Sequence, residues 1–226
     1  MSDRLNKYLA LHLGVSRREA DDLIAHKKVL INEEVAILGA QVSEGDKVIA
    51  NGEPVASNTA FIYLLLNKPP HYVSSRRAQG ETPTIYSLLP KEYHTLKPVG
   101  RLDKNSSGVI LLTNDGDFAF RMTHPKFAKV KKYQVQLDKD LEPLHQQMIA
   151  DYGVTLEDGP SKLILTRLND TDRREWIVTM SEGRNRQIRR TFSALGYEVR
   201  TLHRTDFGNY SLGDIHSGEF KIVDML

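Results

Sequence analysis

The order of apolar and polar positions predicts two short helices at the start of the chain. In RLNKYLALHLG, apolar residues recur every three or four positions, which is the spacing of one helical face. In SRREADDLI, Ser16 and Glu19 form a capping-box pattern, so a second helix begins there, with Ala20 and Ile24 on its apolar face. The strand-like segments KVLIN and KVIAN follow. Residues 1–55 are therefore predicted to form two helices and a small β unit.

Beyond this unit the pattern alternates between strands and helices. The segment GEPVASNTA, 52–60, has no periodicity and is interpreted as a linker. FIYLLLNKPP then predicts a buried strand that ends at a double proline. Further predicted strands are GVILLT, KKYQVQL, SKLILTRL and EWIVTM, and predicted helices are GDFAFRMTH, LEPLHQQMIADYG and NRQIRRTFSALG. This mixture predicts an α+β fold with a mostly antiparallel sheet, over residues 56–226.

Length and composition are those of an ordinary globular chain. The 226 residues are 40% hydrophobic and 27% charged, which predicts one or two domains. No apolar run approaches the roughly 18 residues of a membrane helix, and the N-terminus lacks the order of a signal peptide, so we expect a cytoplasmic protein without a membrane partner. The absence of cysteine excludes disulfides, thiolate nucleophiles and cysteine-based zinc sites.

The positive charges are clustered. Net charge is only +2, but six arginines and two acidic residues lie between positions 181 and 204, and KFAKVKKY, 126–133, has four lysines and no acid. Such local patches are typical of proteins that bind a polyanion. The alternative is a charged face that contacts only solvent.

Several kinds of site find no support. The eight histidines show no metal-ligand spacing, and neither a phosphate-binding loop nor a dinucleotide fingerprint is present. Ser106 and Ser107 lack the context of a nucleophile elbow. We therefore expect no metal and no cofactor.

Asp103 is the carboxylate of greatest interest. It lies in GRLDKNSSGVILLTNDGD, in a polar stretch between Arg101 and Lys104. A surface ion pair is one interpretation. A carboxylate that is desolvated at a strand edge is the other, and it requires a positive partner to stay charged. A helix over residues 184–194 would supply such cations, whereas Asp115 and Asp117 are better interpreted as helix caps.

The N-terminal segment resembles a known RNA-binding module. RLNKYLALHLGVSRREADDLIAHKKVLINEEV is similar to the S4 (α-L) RNA-binding domain, with Asn6 where Asp is common. The resemblance implies that RNA shape and backbone are bound by basic residues on or beside the helices. These are Arg4, Lys7, Arg17, Arg18 and Lys28. A small dimerisation or packing module is the alternative.

The rest of the chain resembles the pseudouridine synthases of the ribosomal small-subunit/large-subunit branch. GRLDKNSSGVILLTNDGD, KKYQVQL and EGRNRQIRR occur in the order of that family's three motifs. LNKPPHYVSS is similar to its K-P-x-G stretch, with His71 where Gly is usual. The resemblance covers essentially the whole chain. It implies an RNA-binding domain over 1–55 and a catalytic domain over 56–226. The expected activity is the isomerisation of a uridine of ribosomal RNA to pseudouridine.

The resemblance also implies roles for residues. Asp103 is expected to be the catalytic aspartate, with Tyr133 stacked on the extruded uracil and Arg189 in an ion pair with Asp103. Further residues are expected to contact RNA or the base: Arg101 as the wedge that replaces the base, Ile188 against the ring, and Arg184, Arg186 and Lys132 on the RNA. Tyr133 as a core aromatic and Arg189 as a phosphate clamp are the alternatives. The group of Arg200, His203 and Arg204 belongs to the same surface or is solvated.

The expected reaction is redox-neutral and requires neither metal nor nucleotide. The aspartate attacks the anomeric carbon or takes part in proton removal at the ribose, and both routes stay open. The form EGRNRQIRR resembles the large-subunit enzymes more than the small-subunit ones, which implies large-subunit ribosomal RNA, with small-subunit ribosomal RNA or tRNA as the alternative. The partner is ribosomal RNA or a subunit assembly intermediate, and we expect a monomer. A non-catalytic RNA-binding or assembly factor and a glycosidase-type hydrolase are the rival interpretations.

Overall fold

The fold was obtained as a computed structural model, which describes residues 2–56, 60–76 and 80–226. The chain divides into two compact units. The first comprises Met1–Ile62, Thr95–Lys97 and Thr113–Gly116, and the second comprises Tyr63–His94, Pro98–Leu112 and Asp117–Leu226. The predicted linker at 52–60 includes residues 57–59, which lie outside the described residues, so the domain limits stay a prediction.

The first unit contains two helices and short antiparallel strands, as the sequence predicts. The capping box is present, because Ser16 Oγ accepts from the Glu19 N–H and the Glu19 side chain accepts from the Ser16 N–H. A core of small and branched residues, among them Leu5, Leu9 and Ile24, is fully or almost fully buried. The elements are β1 Ser2–Arg4, α1 Leu5–His12, α2 Arg17–Ala25, β2 Val29–Ile31, β3 Glu34–Val35, β4 Gln41–Ser43, β5 Val48–Ala50 and β6 Glu53–Pro54.

The second unit is built on a mixed sheet, which confirms the predicted α+β class. Its strand order is β13-β14-β10-β15-β9-β7-β17, with β8 and β16 paired at its side. The β15–β9 pair is parallel, and the β13–β14, β14–β10, β10–β15 and β7–β17 pairs are antiparallel. The strands are β7 Tyr63–Lys68, β8 Lys97–Val99, β9 Ser107–Thr113, β10 Lys131–Leu137, β11 Val154–Leu156, β12 Gly159–Ser161, β13 Ile164–Arg167, β14 Glu175–Met180, β15 Val199–Phe207, β16 Tyr210–Ser211 and β17 Phe220–Ile222.

The close pairing of β9 and β15 depends on Gly108. This residue has a φ of +102°, and a Cβ built on it would overlap the carbonyl oxygen of Arg204. Only glycine satisfies both conditions, because a side chain would force the two strands apart. Gly108 therefore allows the strand that follows the Asp103 loop to lie against β15.

The helices of the second unit are shorter than the sequence predicts, apart from α3, Gly116–Thr123. The predicted helix over 141–153 is divided into α4, Pro143–Gln147, and a π-helical turn, Met148–Tyr152. The helix α5, Gln187–Ser193, begins late because Arg186 has a φ of +48°, which is outside the helical region. Within the described ranges, no helix has both the length and the apolar character of a membrane span.

Candidate active site

A cavity of about 360 Å³ in the second unit brings most of the predicted site residues together. Its lining includes Arg101, Asp103, Tyr133, Arg184, Arg186 and Ile188. Three further cationic side chains, Lys129, Lys131 and Arg204, line it as well, whereas Glu182 is the second acidic residue of the wall. The wall is therefore strongly positive around Asp103, which suits an anionic ligand.

The segment that carries Asp103 is held through its backbone. Leu102 is buried, and its N–H donates to Ser74 Oγ (3.3 Å) while that hydroxyl donates to the Leu102 carbonyl (2.9 Å). The Ser106 N–H donates to the Asp103 carbonyl (3.0 Å) and closes a turn. With Leu102 anchored in the core, its two neighbours Arg101 and Asp103 both line the cavity.

Lys68 holds the same turn from the core side. Its side chain is 0% exposed, and its Nζ donates to the carbonyl oxygens of Ser106 (2.6 Å), Pro69 (2.9 Å) and Lys104 (3.4 Å). Burial lowers the pKa of Lys68 to about 8, and the negative charge of Asp103 acts in the opposite direction. Lys68 is therefore a buried cation that fixes the backbone beside the candidate catalytic carboxylate.

Arg189 does not form the expected ion pair with Asp103. Its Nη1 donates to the Val199 carbonyl (2.6 Å) and its Nη2 to the Asn105 carbonyl (3.0 Å), so it joins the loop to β15 through backbone oxygens. Burial lowers the pKa of Arg189, and the neighbouring charge of Arg186 adds to the effect. The ion-pair partner of Asp103 is Arg186, with 3.9 Å between Nη1 and Oδ2.

The Arg186–Asp103 pair is partly exposed. The side chain of Arg186 is 51% exposed and that of Asp103 is 35% exposed, so the pair stabilises the fold only weakly. The left-handed backbone at Arg186 ends the loop and begins α5, which places its side chain at the cavity. The carboxylate is thus close to a cation and still accessible to a ligand.

Tyr133 is 8% exposed and lines the cavity from β10. The register of β10 against β15 shifts between Lys132 and Tyr133, and such bulges change the direction of a side chain. Lys132 is exposed and lies outside the lining, which contains Lys131 in its place. Burial and then the charge of Arg204 lower the pKa of Lys131. Lys131, and not Lys132, therefore lines the cavity, and the RNA contact of Lys132 stays a prediction.

Arg184 is bound to the β11–β12 hairpin and not free for phosphate. Its Nη1 donates to Asp158 Oδ1 (2.8 Å) and to the Gly159 carbonyl (3.0 Å), and its Nη2 donates to the Pro160 carbonyl (2.8 Å). Arg190 Nη2 donates to the second oxygen of Asp158 (2.6 Å), and this bond is the main reason that the pKa of Asp158 is lowered. In this structure Arg184 is a clamp on the hairpin, and its phosphate contact stays a prediction.

The first turn of α5 is fixed by a buried amide. Gln187 is 2% exposed, and its Nε2 donates to Ser161 Oγ (3.1 Å) and to Glu182. Its Oε1 accepts from the Arg184 N–H (3.2 Å). This network orients the turn so that Ile188, 4% exposed, lines the cavity and presents an apolar surface there.

The basic residues of the first unit are mostly exposed. Arg17 Nη2 donates to Asn6 Oδ1 (3.1 Å), and Lys7 forms an ion pair with Asp3 (2.9 Å). Asn6 in turn donates to Asp21 (2.9 Å), so the residue that replaces the usual Asp still joins the two helices. Four of the predicted RNA-binding side chains are exposed: Arg4, Arg17, Arg18 and Lys28.

The acidic and histidine side chains are too dispersed to form a metal centre. Across residues 2–56, 60–76 and 80–226, no group of three or more His, Asp or Glu side chains is placed to hold a metal ion. The lining of the cavity is instead dominated by arginine and lysine. Such side chains bind anions and carbonyl oxygens and do not ligate metals when protonated.

Comparison with known proteins decides the family. The sequence model of the family described as RNA pseudouridylate synthase matches residues 62–194, which is more than half of the chain, and the model of the S4 domain matches residues 3–48. The chain belongs to the RNA pseudouridylate synthase family. It is therefore an isomerase with an S4 RNA-binding domain, which confirms both resemblances drawn from the motifs.

Named relatives of this pseudouridine synthase agree over almost the full length. Ribosomal large subunit pseudouridine synthase B of Bacillus subtilis (strain 168) is 36% identical, and the match covers 97% of this chain and 91% of the relative. Ribosomal small subunit pseudouridine synthase A of Pasteurella multocida (strain Pm70) is also 36% identical, covering 96% and 94%. A crystal structure of a pseudouridylate synthase superposes with a TM-score of 0.69 at 32% identity, covering 98% and 96%.

Three residues in or beside the synthase cavity were not singled out from the sequence. Lys68, which lies beside the lining, could have been noticed as a lysine at the end of a wholly buried strand, where a buried charge needs partners. Lys131 follows from the alternation of β10, because it lies two positions before Tyr133 and shares its face. The sequence leaves Arg204 either on the same surface as the other arginines or solvated, and the structure shows it 3% exposed. Its burial depends on the central position of β15, which the sequence pattern does not reveal.

Proposed function

We propose that this pseudouridine synthase converts a uridine of ribosomal RNA to pseudouridine by base extrusion, glycosidic bond cleavage and reattachment through carbon 5. Two relatives are named for the large and the small ribosomal subunit, which supports ribosomal RNA as the substrate class. The form EGRNRQIRR favours the large subunit. The RNA is bound free or in a subunit assembly intermediate, and small-subunit RNA or tRNA is the alternative.

One observation carries the proposal above all: the carboxylate of Asp103 lies at the positive cavity, 3.9 Å from Arg186, on a turn fixed through its backbone. An aspartate that acts on a ribose must be ionised and held in place. Arg186 supplies a positive charge beside the carboxylate, and Lys68, Ser74 and Arg189 limit movement of the turn. Attack at the anomeric carbon and proton removal at the ribose both require this state.

The other wall residues suit an extruded base. Removing a base from an RNA helix costs a few kcal/mol. Stacking on an aromatic ring contributes about 1–3 kcal/mol, and Tyr133 supplies that ring. Ile188 offers an apolar contact for the uracil. Arg101, which is exposed at the cavity mouth, enters the RNA helix and fills the gap that the extruded base leaves in the stack.

The S4 domain is assigned to RNA binding outside the target site. Phosphate contacts position an RNA without reading its sequence. Domain 56–226 carries out the chemistry, and the basic residues of domain 1–55 hold the RNA through its phosphates. These residues are Arg4, Lys7, Arg17, Arg18 and Lys28. The protein acts as a monomer in the cytoplasm.

The first experiment is tritium release from ribosomal RNA transcripts that carry uridine labelled at carbon 5. Reattachment through carbon 5 expels that hydrogen, so release reports isomerisation. We expect release by the wild type and less than about one per cent of that rate by Asp103→Asn, with RNA affinity retained in a filter-binding assay. Asp214→Asn, which changes an exposed carboxylate outside the cavity, is the matched control and should release tritium at the wild-type rate.

Other outcomes contradict the proposal in distinct ways. RNA binding without release from naked transcripts or assembly intermediates of either subunit would favour the non-catalytic binding factor. Free uracil among the products would favour the hydrolase. Residual turnover of Asp103→Asn well above one per cent would remove Asp103 from the chemistry, while the isomerase itself would stand.

A further inference from the structure

Arg204 lies beside Tyr133 in the middle of the sheet. The two residues are directly opposite in the antiparallel β10–β15 pair, and Arg204 is also paired with Gly108 of the parallel strand β9. Side chains of directly opposite residues point to the same face of a sheet, with their Cβ atoms about 4.5–5.5 Å apart. Arg204 and Tyr133 accordingly line the same cavity.

The guanidinium of Arg204 is buried and incompletely paired. Its side chain is 3% exposed, and its Nε donates to the Val109 carbonyl (2.7 Å). Its central carbon lies 4.7 Å from the centroid of the Phe207 ring, a cation–π contact. Among the described residues, Nη2 has no hydrogen-bond acceptor. A buried donor without an acceptor costs free energy, so an acceptor that a ligand in the cavity brought to this N–H would remove that cost.

The neighbouring cations differ from Arg204 in this respect. The ammonium of Lys131 is directed to the carbonyl oxygens of Lys129, Ser181 and Glu182. Arg186 is exposed at the mouth and pairs with Asp103. Arg184 Nε is also buried without an acceptor, but the Arg184 side chain is 21% exposed and its terminal nitrogens are bound to the hairpin. Arg204, at 3% exposure, is thus the more deeply buried of the two described wall cations that keep a donor without an acceptor.

We propose that Arg204 donates a hydrogen bond to a carbonyl oxygen of the extruded uracil and stabilises the negative charge that develops on the ring. This inference rests on the proposed function. When the bond between the anomeric carbon and N1 breaks, its electron pair passes to the uracil and is delocalised onto the carbonyl oxygens, while the Asp103 carboxylate bonds to the anomeric carbon or removes a proton from the ribose. No proton or electron is transferred to Arg204. A fixed cationic donor in a site closed to water lowers the energy of such an anion.

A base carbonyl fits this position better than a phosphate does. Tyr133 is the assigned stacking surface for the base, so the edge of the stacked ring faces the residue beside Tyr133 in the register. A phosphate is larger, carries a full charge and stays outside a deeply buried niche. The exposed arginines at the mouth of the cavity, Arg101 and Arg186, are better placed for phosphates.

Arg204→Gln and Arg204→Lys test the inference in the tritium assay under single-turnover conditions. Removal of one such donor typically slows the chemical step by about 100-fold, and we expect this loss for Arg204→Gln with RNA affinity close to that of the wild type. Lys retains the charge without the planar fork and should recover part of the rate. Arg200→Gln, an exposed arginine of the same strand, is the matched control.

Each outcome has one meaning. Wild-type rates for Arg204→Gln would overturn the role of Arg204 and leave the proposed function intact. Equal losses of RNA affinity and rate would also overturn it, because the donor acts on the ring in the reaction and not on RNA binding. A wild type without tritium release would overturn the proposed function and this inference together.

A second measurement does not depend on folding of the variants. Once the target position is mapped, ligated transcripts carry 2-thiouridine or 4-thiouridine there, because sulfur accepts hydrogen bonds more weakly than oxygen. We expect one of the two substitutions to slow the wild-type enzyme by about tenfold or more. Wild-type rates on both thio-substituted transcripts would show that no carbonyl oxygen is held and would overturn the inference.

Discussion

The ammonium nitrogen of Lys68 lies 2.6 Å from the carbonyl oxygen of Ser106, at a strand end that solvent does not reach. The same cation contacts the carbonyl of Lys104, so the turn that carries Asp103 is fastened to β7 by one side chain. Because burial lowers the pKa of Lys68 to about 8, the ammonium group that holds the turn loses its proton at mildly alkaline pH.

The pH dependence of turnover should report this titration. The charged ammonium donates three hydrogen bonds and the neutral amine only two, so we expect kcat to fall as the pH rises through about 8. Lys68→Met should turn over more slowly and lack this alkaline limb. Tritium release measured from neutral to alkaline pH gives this pH dependence of turnover, and Lys221→Met, at an exposed lysine, is the control. An alkaline limb that persists in Lys68→Met would contradict the assignment.

Folding stability should change in the opposite direction. The folded-state pKa of Lys68 lies below its ordinary value of 10.5, so the unfolded chain binds the proton more tightly. The cost of charging the buried amine is fully present below pH about 8 and disappears as the pH rises toward 10.5. Denaturant unfolding of the wild type relative to Lys68→Met should therefore show a relative gain in wild-type stability across that interval. A difference in unfolding free energy between wild type and Lys68→Met that stays constant across this pH interval would contradict the prediction.

Tyr133 should act mainly through its ring. Tyr133→Phe keeps the stacking surface, so we expect RNA affinity within about twofold of the wild type, and any loss of turnover then measures the hydroxyl. Tyr133→Ala removes the ring and should lose about 1–3 kcal/mol of base stacking, seen as reduced turnover at a given RNA concentration. Wild-type turnover for Tyr133→Ala would restrict this residue to core packing.

Asp158 should support the EGRNRQIRR motif, because it holds Arg184 and Arg190 of that motif in place. In Asp158→Asn, the hydrogen bonds to Arg184 and Arg190 lose their charge, so we expect a looser cavity wall and slower turnover. The folded pKa of Asp158 is below its ordinary value of 3.8, so the stabilising contribution is present above pH 3.8 and is lost as the pH falls through the folded value. Thermal unfolding should therefore distinguish wild type from variant at neutral pH and not in strong acid.

Gly108→Ala should disrupt the sheet severely. The added Cβ overlaps the backbone of Arg204 and adopts a φ that L-residues avoid, and the expected loss is about 3 kcal/mol or more of unfolding free energy. Gly213→Ala is the control, because Gly213 also has a positive φ, +55°, but a Cβ added there would meet nothing within 4 Å. Equal stability losses for the two variants would show that backbone strain alone, and not the β9–β15 approach, requires Gly108.

Much of the architecture followed from local pattern, and much of the site did not. The capping box at Ser16, the buried strand before the double proline and the motif order are local features, and the structure has all three. The resemblance implied Arg189 as the partner of Asp103, but the partner is Arg186, whose left-handed backbone lies just before the first turn of the helix. The spacing of apolar and polar residues along the chain does not reveal a tertiary contact of this kind.

The burial of one cation was hidden and that of another was not. Lys131 and Lys132 are adjacent lysines, and the alternation of β10 places Lys131 on the face of Tyr133. Arg200 and Arg204 lie on one strand, yet the first is exposed and the second is enclosed by strands on both sides. The sequence does not separate Arg200 from Arg204, because that difference arises from which strands lie next to one another.

The position of β15 has a consequence for synthesis of the chain. Strands β7 and β9 are made before strands β10, β13 and β14, and among the described residues the two groups join through β15, Val199–Phe207, which leaves the ribosome after all of them. The cavity contains residues from both groups and from β15 itself. A nascent chain therefore cannot assemble this cavity before the strand Val199–Phe207 has been synthesised and has left the ribosome.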